Sequence, residues 1–273
     1  MNIEENIQKA KILLEEADAI FITAGAGMGV DSGLPDFRGK EGFWTAYPRA
    51  KELGLNFEDM ANPEWFESDP QLAWAFYGHR LHLYRETVPH EGFRQLLELS
   101  HTKKYGVFVF TSNVDGQFQK AGYKEEQIME CHGSIHHLQC SADCHEKIWS
   151  AEDIFIEIEE GFKAKIPLPL CPVCGAMARP NILMFGDFSW EHKRTSAQRV
   201  KLVSWMDKLE CEGAKLAIVE MGAGTAVPTV RNTSEQIAQR FDVPLIRINP
   251  RESFGAELGL EMGAVEALSK IMV

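Results

Sequence analysis

The chain has 273 residues, 45% of them hydrophobic and 10% aromatic, enough to bury a full core, so one large domain with a smaller module is expected. Lys and Arg total 28 against 40 Asp and Glu, a formal charge of −12 that repels a phosphate backbone and argues against nucleic-acid binding. The first residues lack a basic start followed by an apolar run, and no apolar stretch is long enough to span a bilayer, so a soluble, cytoplasmic protein without a membrane partner is expected.

Ile3, Ile7, Ala10, Leu13, Leu14 and Ala17 recur at helical spacing, which predicts an opening helix over 3–17. Ala19–Thr23, β-branched and aromatic, reads as a buried parallel strand that runs into a glycine-rich turn. The strand signature returns at Gly106–Thr111, Lys215–Met221 and Pro244–Asn249, with helical patterns between. Strands alternating with helices predict an α/β fold, a doubly wound parallel sheet whose ligands bind beyond the carboxyl ends of its strands. Residues 39–88, rich in Trp, Phe and Tyr, and residues 134–180, which hold two cysteine pairs, break the alternation. Both read as insertions that leave the sheet and return to it, in a position to form the smaller module jointly.

The chemistry-bearing segments follow the strands. The glycines of Gly25-Ala-Gly-Met-Gly-Val-Asp-Ser-Gly33 suit backbone amides approaching a pyrophosphate at a helix N-terminus, although any tight turn also needs glycine. Leu34-Pro-Asp-Phe-Arg-Gly39 then sets an acid, an aromatic and a guanidinium side by side. Tyr77 and Arg80, three apart, share one helical face. In Thr111-Ser-Asn-Val-Asp115 the carboxamide and the carboxylate are two apart, so on extended chain they face the same way. Glu130-Cys-His-Gly133 offers His132 as a base that titrates near neutrality, with His136 and His137 as rivals that line the module entrance. Cys140-x3-Cys144 and Cys171-x2-Cys174, separated by 26 residues, can present four thiolates as a tetrahedron, a structural zinc site with no open position. Two redox pairs, or His145 in place of one thiolate, are the alternatives. Cys131 and Cys211 are left for packing.

The loop at 25–33 with Leu34–Gly39 resembles the NAD-binding signature of the sirtuin family, and further segments follow in family order over nearly the whole chain. The resemblance implies a Rossmann-like NAD-binding domain of residues 1–38, 89–133 and 181–273, a helical module of 39–88 and a zinc-binding module of 134–180. It implies an NAD-dependent protein lysine deacylase that releases nicotinamide and O-acyl-ADP-ribose, with sirtuin-type mono-ADP-ribosyl transfer as the alternative. Gly25, Ala26 and Gly27 then belong to the cofactor loop, Asp36 and Phe37 sit by the nicotinamide, and Arg38 helps hold the loop. Thr111–Asp115 is similar to the family's Thr-Gln-Asn-x-Asp motif, which gives Asn113 and Asp115 the nicotinamide ribose and a water. Ser112 stands where glutamine is usual and is too short to reach the ribose. His132 matches the catalytic base.

Arg179–Asp187 resembles the segment that pairs with the substrate peptide by strand addition, with Ile182, Leu183, Phe185 and Gly186 at its edge and Asp187 where glutamate is usual. Gly222, Gly224 and Thr225 stand at the family's Gly-Thr-Ser loop, and Asn249 at its adenosine-ribose contact. A Tyr-x-x-Arg pair such as Tyr77 and Arg80 marks sirtuins that remove acidic acyl groups, where the guanidinium meets a carboxylate. The implied partner is an acyl-lysine protein or peptide, and a monomer or weak oligomer is expected.

Overall fold

The structure, a computed structural model, describes residues 2–35 and 40–272. Helix α1 (Ile3–Glu16) starts at Asn2, whose side chain accepts from the Glu4 amide, and buries Ile7, Ala10 and Leu14. Strand β1 (Ala19–Ala24) is buried at every position and runs into a 3-10 turn at Ala26–Ser32. The first insertion holds α2 (Lys40–Ala46), α3 (Pro48–Glu52), α4 (Phe57–Met60), α5 (Trp65–Ser68) and α6 (Pro70–Glu86), after which α7 (Glu91–His101) leads back to β2 (Val107–Thr111). Beyond α8 (Gln117–Lys120) and β3 (Ile128–Glu130) the chain leaves again through β4 (Gly133–Cys140), β5 (Trp149–Ser150), β6 (Ile158–Glu159), β7 (Lys163–Ala164) and β8 (Ala178–Ile182). It closes with α9 (Lys193–Cys211), β9 (Leu216–Met221), α10 (Thr229–Phe241), β10 (Leu245–Ile248), β11 (Leu258–Leu260) and α11 (Ala264–Ile271).

Six strands form one parallel sheet in the order β11-β10-β9-β1-β2-β3. Alternate side chains divide between its two faces, as the pleat requires. Ile20, Ile22, Val107, Val109, Val219 and Ile246 share a cluster with Leu14, Phe93, Leu96 and Leu268 of α1, α7 and α11. Phe21, Phe108, Phe110, Ile218 and Leu245 meet Leu202, Met206 and Val230 of α9 and α10 on the other face. The doubly wound α/β sheet is therefore as expected, with two strands added: β3 and β11, three residues each at the sheet edges, are too short to carry a periodic signal.

The two insertions share a third cluster. Phe43, Tyr47, Trp74 and Phe76 pack with Leu138, Ile156, Ala164 and Ala178, and the Trp74 indole N–H donates to the Ala178 carbonyl at 3.1 Å. Cys131 is half-buried against the second face of the sheet, but Cys211, expected to pack, is exposed in the last turn of α9. Among the described residues no helix is long and apolar enough to cross a membrane.

Candidate active site

From β1 the chain crosses to β2 and β3 on one side and reaches β9 on the other, so the strand order reverses at the carboxyl end of β1. Such a switch point opens a crevice, because the two connections diverge. A cavity of about 560 Å³ lies there, between the sheet edge and the shared insertion cluster.

Two loops meet at its floor. Gly222, at φ +61°, follows β9 so closely that a Cβ there would stand 2.2 Å from the Met28 amide, and one on Gly27 would stand 2.7 Å from Gly222 Cα. The Gly27 amide donates to the Gly222 carbonyl at 3.0 Å and the Gly25 amide to the Met221 carbonyl at 2.9 Å. Gly25 and Gly27 thus serve loop-to-loop packing, while Ala26 lines the cavity.

The end of β2 supplies the polar wall. The Ser112 amide and the Thr111 hydroxyl both donate to the Ala24 carbonyl, and the Thr111 hydroxyl accepts from the Asn113 amide. This arrangement turns Ser112, Asn113 and Asp115 into the cavity. Asn113 Nδ2 donates to the Gly25 carbonyl at 3.0 Å, which fixes the amide and leaves Oδ1 as its acceptor. The buried Ser112 hydroxyl has no hydrogen-bond partner among the described residues. Burial pushes the Asp115 carboxyl up to about 6, against the Gln117 amide that donates to it at 2.9 Å; nearby Glu130 adds to the rise and Arg80 opposes it.

His132, half-buried, lines the cavity from the junction of β3 and β4. Its carbonyl accepts from Leu183 at 2.9 Å, and Gly133 must follow it, since at φ +78° the Asn181 carbonyl lies 2.0 Å from where a Cβ would stand. His136 and His137 are not on the cavity wall: the His136 Nε2–H donates to the Asp115 carbonyl at 2.9 Å, and burial holds the His137 imidazole down at about 4.

The facing wall runs through Ile182, Leu183, Phe185 and Gly186 to Phe188. β8 ends at Ile182, so the rest is irregular chain, tied by Phe185 N–H to the Ala61 carbonyl and by Asp187, which accepts two bonds of 2.8 Å from Arg179. Tyr77, Arg80 and Tyr84 of α6 complete the lining. The Arg80 guanidinium lies 5.2–5.6 Å from the ring centres of Phe57, Phe76, Tyr77 and Tyr84, and donates to the Tyr84 hydroxyl through Nε at 3.1 Å and Nη2 at 2.9 Å. Burial pushes both phenols up, so Tyr77 and Tyr84 are hydrogen-bond donors near neutrality. The Tyr77 hydroxyl has no partner among the described residues.

Of the remaining sequence candidates, Asp36, Phe37 and Arg38 lie outside the described residues. Gly222, Gly224, Thr225 and Asn249 are not on the cavity wall, which takes Ala226 and Val227 from the loop after β9. Glu252 accepts from the Thr225 amide and hydroxyl, and Asn249 Nδ2 donates to the Ala223 carbonyl. Tyr84, Phe57 and Glu58 were not anticipated. Tyr84 was within reach, since Tyr77, Arg80 and Tyr84 follow i, i+3, i+7 on one helix.

The four cysteine sulfurs of Cys140, Cys144, Cys171 and Cys174 lie within 4.8 Å of one another, with Cys140–Cys174 at 3.6 Å and Cys144–Cys171 at 3.7 Å. Zinc bound tetrahedrally at about 2.3 Å from sulfur sets its thiolates about 3.8 Å apart, so the donor set fits a structural zinc.

The profile of the Sir2 family matches residues 25–218. An NAD-dependent protein deacylase of Thermus thermophilus is 30% identical over 98% of this chain and 94% of its own. One of Pyrococcus furiosus is 36% identical over 69% of this chain and 68% of its own. Among solved structures, a mutant Sir2 homologue in complex with ADP-ribose superposes with a TM-score of 0.71 at 25% identity, over 97% of this chain and 94% of that one. A Sir2 homologue in complex with NAD gives 0.73 at 24% identity over 97% and 92%, a likeness of fold. With the crevice, the cysteine cluster and the strand order in agreement, the chain belongs to the Sir2 family.

Proposed function

We propose that the protein is an NAD-dependent deacylase acting on acyl-lysine side chains of proteins. The observation that carries this reading is the convergence, on one cavity, of a half-buried histidine, a fixed carboxamide and a buried carboxylate, opposite the irregular segment Leu183–Phe188. When bound, NAD supplies the ribosyl carbon from which nicotinamide departs and the ribose that receives the acyl group.

The protein's own residues then divide the work. Asn113, its Nδ2 held by the Gly25 carbonyl, presents Oδ1 to orient a ribose hydroxyl or water. Asp115, with a carboxyl near 6, accepts a hydrogen bond or holds a proton beside it according to pH. His132 takes the ribose hydroxyl proton that acyl transfer releases. Leu183 and Phe185 would flank the entering peptide, and the domain of residues 1–38, 89–133 and 181–273 would hold the dinucleotide, with the helical module 39–88 and the zinc-binding module 134–180 inserted into it. Cys140, Cys144, Cys171 and Cys174 would hold a structural zinc that ties the second module together, and four thiolate ligands would leave it no open position for substrate. Tyr77 and Arg80, two donors on an otherwise aromatic wall, suit a carboxylate at the end of the acyl chain.

The test is turnover of acetyl- and succinyl-lysine peptides with labelled NAD, followed by mass spectrometry. Free nicotinamide and O-acyl-ADP-ribose are expected from the wild type, and His132→Ala loses at least 100-fold in turnover while NAD binding persists. Arg80→Ala lowers succinyl-peptide turnover more than acetyl-peptide turnover; an equal effect on both overturns the acidic preference. Label retained on protein would instead establish mono-ADP-ribosyl transfer, a reading that the short, unpartnered Ser112 hydroxyl in place of glutamine favours.

A further inference from the structure

The cysteine cluster has a neighbour that its ligand count does not require. His145 follows Cys144, and its Nε2 lies 3.3 Å from Cys171 Sγ. The other ring nitrogen, Nδ1, accepts a hydrogen bond from the Lys147 amide at 3.0 Å. An accepting nitrogen carries a lone pair, so the imidazole proton is on Nε2, and Nε2 has no lone pair to offer a metal. The Trp149 ring, 5.9 Å away and inclined at 62°, packs edge-on and fixes the imidazole plane.

We propose that His145 is a positioning residue of the zinc site, donating its Nε2–H to the Cys171 thiolate and thereby slowing the loss of the metal. The physical reason is charge. Four thiolates around a divalent cation leave two net negative charges on the cluster, and N–H donors offset them. Cys140 and Cys171 are both buried, at 2% and 3% exposed, and Cys171 receives two such donors, His145 Nε2 at 3.3 Å and the Val173 amide at 3.5 Å. Cys144 and Cys174 are exposed and have water for the same purpose. A histidine beside a cysteine pair is therefore held as a donor to a ligand, and replaces none.

The inference rests on the zinc reading of the four cysteines, which metal analysis of the purified full-length protein tests separately: absence of zinc sinks that reading. With zinc present, its release to a chromogenic chelator is compared in the wild type, His145→Phe and His145→Gln. Phenylalanine keeps the ring against Trp149 and removes both nitrogens; glutamine keeps an N–H donor. Release about tenfold faster from the Phe variant, with the Gln variant between, is expected. Cobalt-substituted wild type should show a four-thiolate spectrum, and the Phe variant the same ligand set with a shifted sulfur-to-cobalt charge-transfer band. Equal release rates in all three proteins overturn the proposal. So does a wild-type cobalt spectrum of three sulfurs and one nitrogen, which needs no variant to fold and would make His145 a ligand.

Discussion

Asp115 is held where a carboxylate is disfavoured. It is 9% exposed and its carboxyl is raised from 3.8 to about 6, first by burial. A raised carboxyl means that the folded state binds the proton more tightly than the unfolded one. The stability this gives is complete below about pH 4 and is lost as pH rises through about 6, an effect on the order of 2–3 kcal/mol. Asp115→Asn keeps an acceptor for the Gln117 amide and removes the charge. The variant is expected to be more stable than the wild type by ~1–3 kcal/mol at pH 8 and nearly equal to it at pH 4, while nicotinamide release falls at least tenfold. Urea unfolding at both pH values, with turnover measured alongside, checks it; a destabilised variant at pH 8 contradicts the burial argument.

At the level of elements, the cavity wall of Leu183–Phe188 is held by one side chain more than by strand pairing. β8 stops at Ile182, and beyond it Asp187 accepts from Arg179, from the Met184 amide and from the Ser189 amide. The Arg179 and Asp187 side chains are 1% and 0% exposed, so losing one charge leaves the other buried alone. Asp187→Asn should cost about 3–5 kcal/mol in urea unfolding, and the KM for an acyl-lysine peptide should rise more than the KM for NAD. An equal rise in both would place the effect in the sheet instead. These contacts also explain what was readable beforehand. The cysteine pairs carry their meaning in spacing, while Thr111–Asp115 and Glu130–Gly133 are local segments whose roles the family resemblance implies. The strands at 19–24, 107–111, 216–221 and 245–248 announce themselves by composition because both faces are buried. Tyr84 shares the helical spacing of Tyr77 and Arg80, but Phe57 and Glu58 reach the cavity from a separate short helix, α4, and no local spacing fixes where that helix docks. Strand addition along Ile182–Gly186 is what the family resemblance implies, whereas the irregular chain after Ile182 is tied by the Arg179–Asp187 pair, which an apolar run does not announce.

Over the whole molecule, two clusters clothe the sheet and a third, shared by the insertions, stands apart from them. The site lies on the seam: Asn113 and Asp115 follow the carboxyl end of β2, whereas His132 is the last residue before β4 leaves for the cysteine cluster. β4 and β8 reach that cluster at Cys140 and, through Ala178, at Met177 and Cys171, so the cysteine cluster and the His132–Leu183 contact lie at opposite ends of one strand pair. Stripping zinc should therefore loosen the insertions and the histidine while the dinucleotide half of the site persists. Amide exchange of the chelated protein is expected to show lost protection in β4, β8 and α6, with β1, β2, β9 and β10 still protected. Calorimetry should find NAD affinity changed by less than about threefold, and peptide turnover should fall by at least tenfold, because binding and base are supplied by different clusters. Uniform loss of protection across the sheet would mean that the three clusters unfold as one, and that His132 is held by the whole fold and not by the metal-bound strand pair.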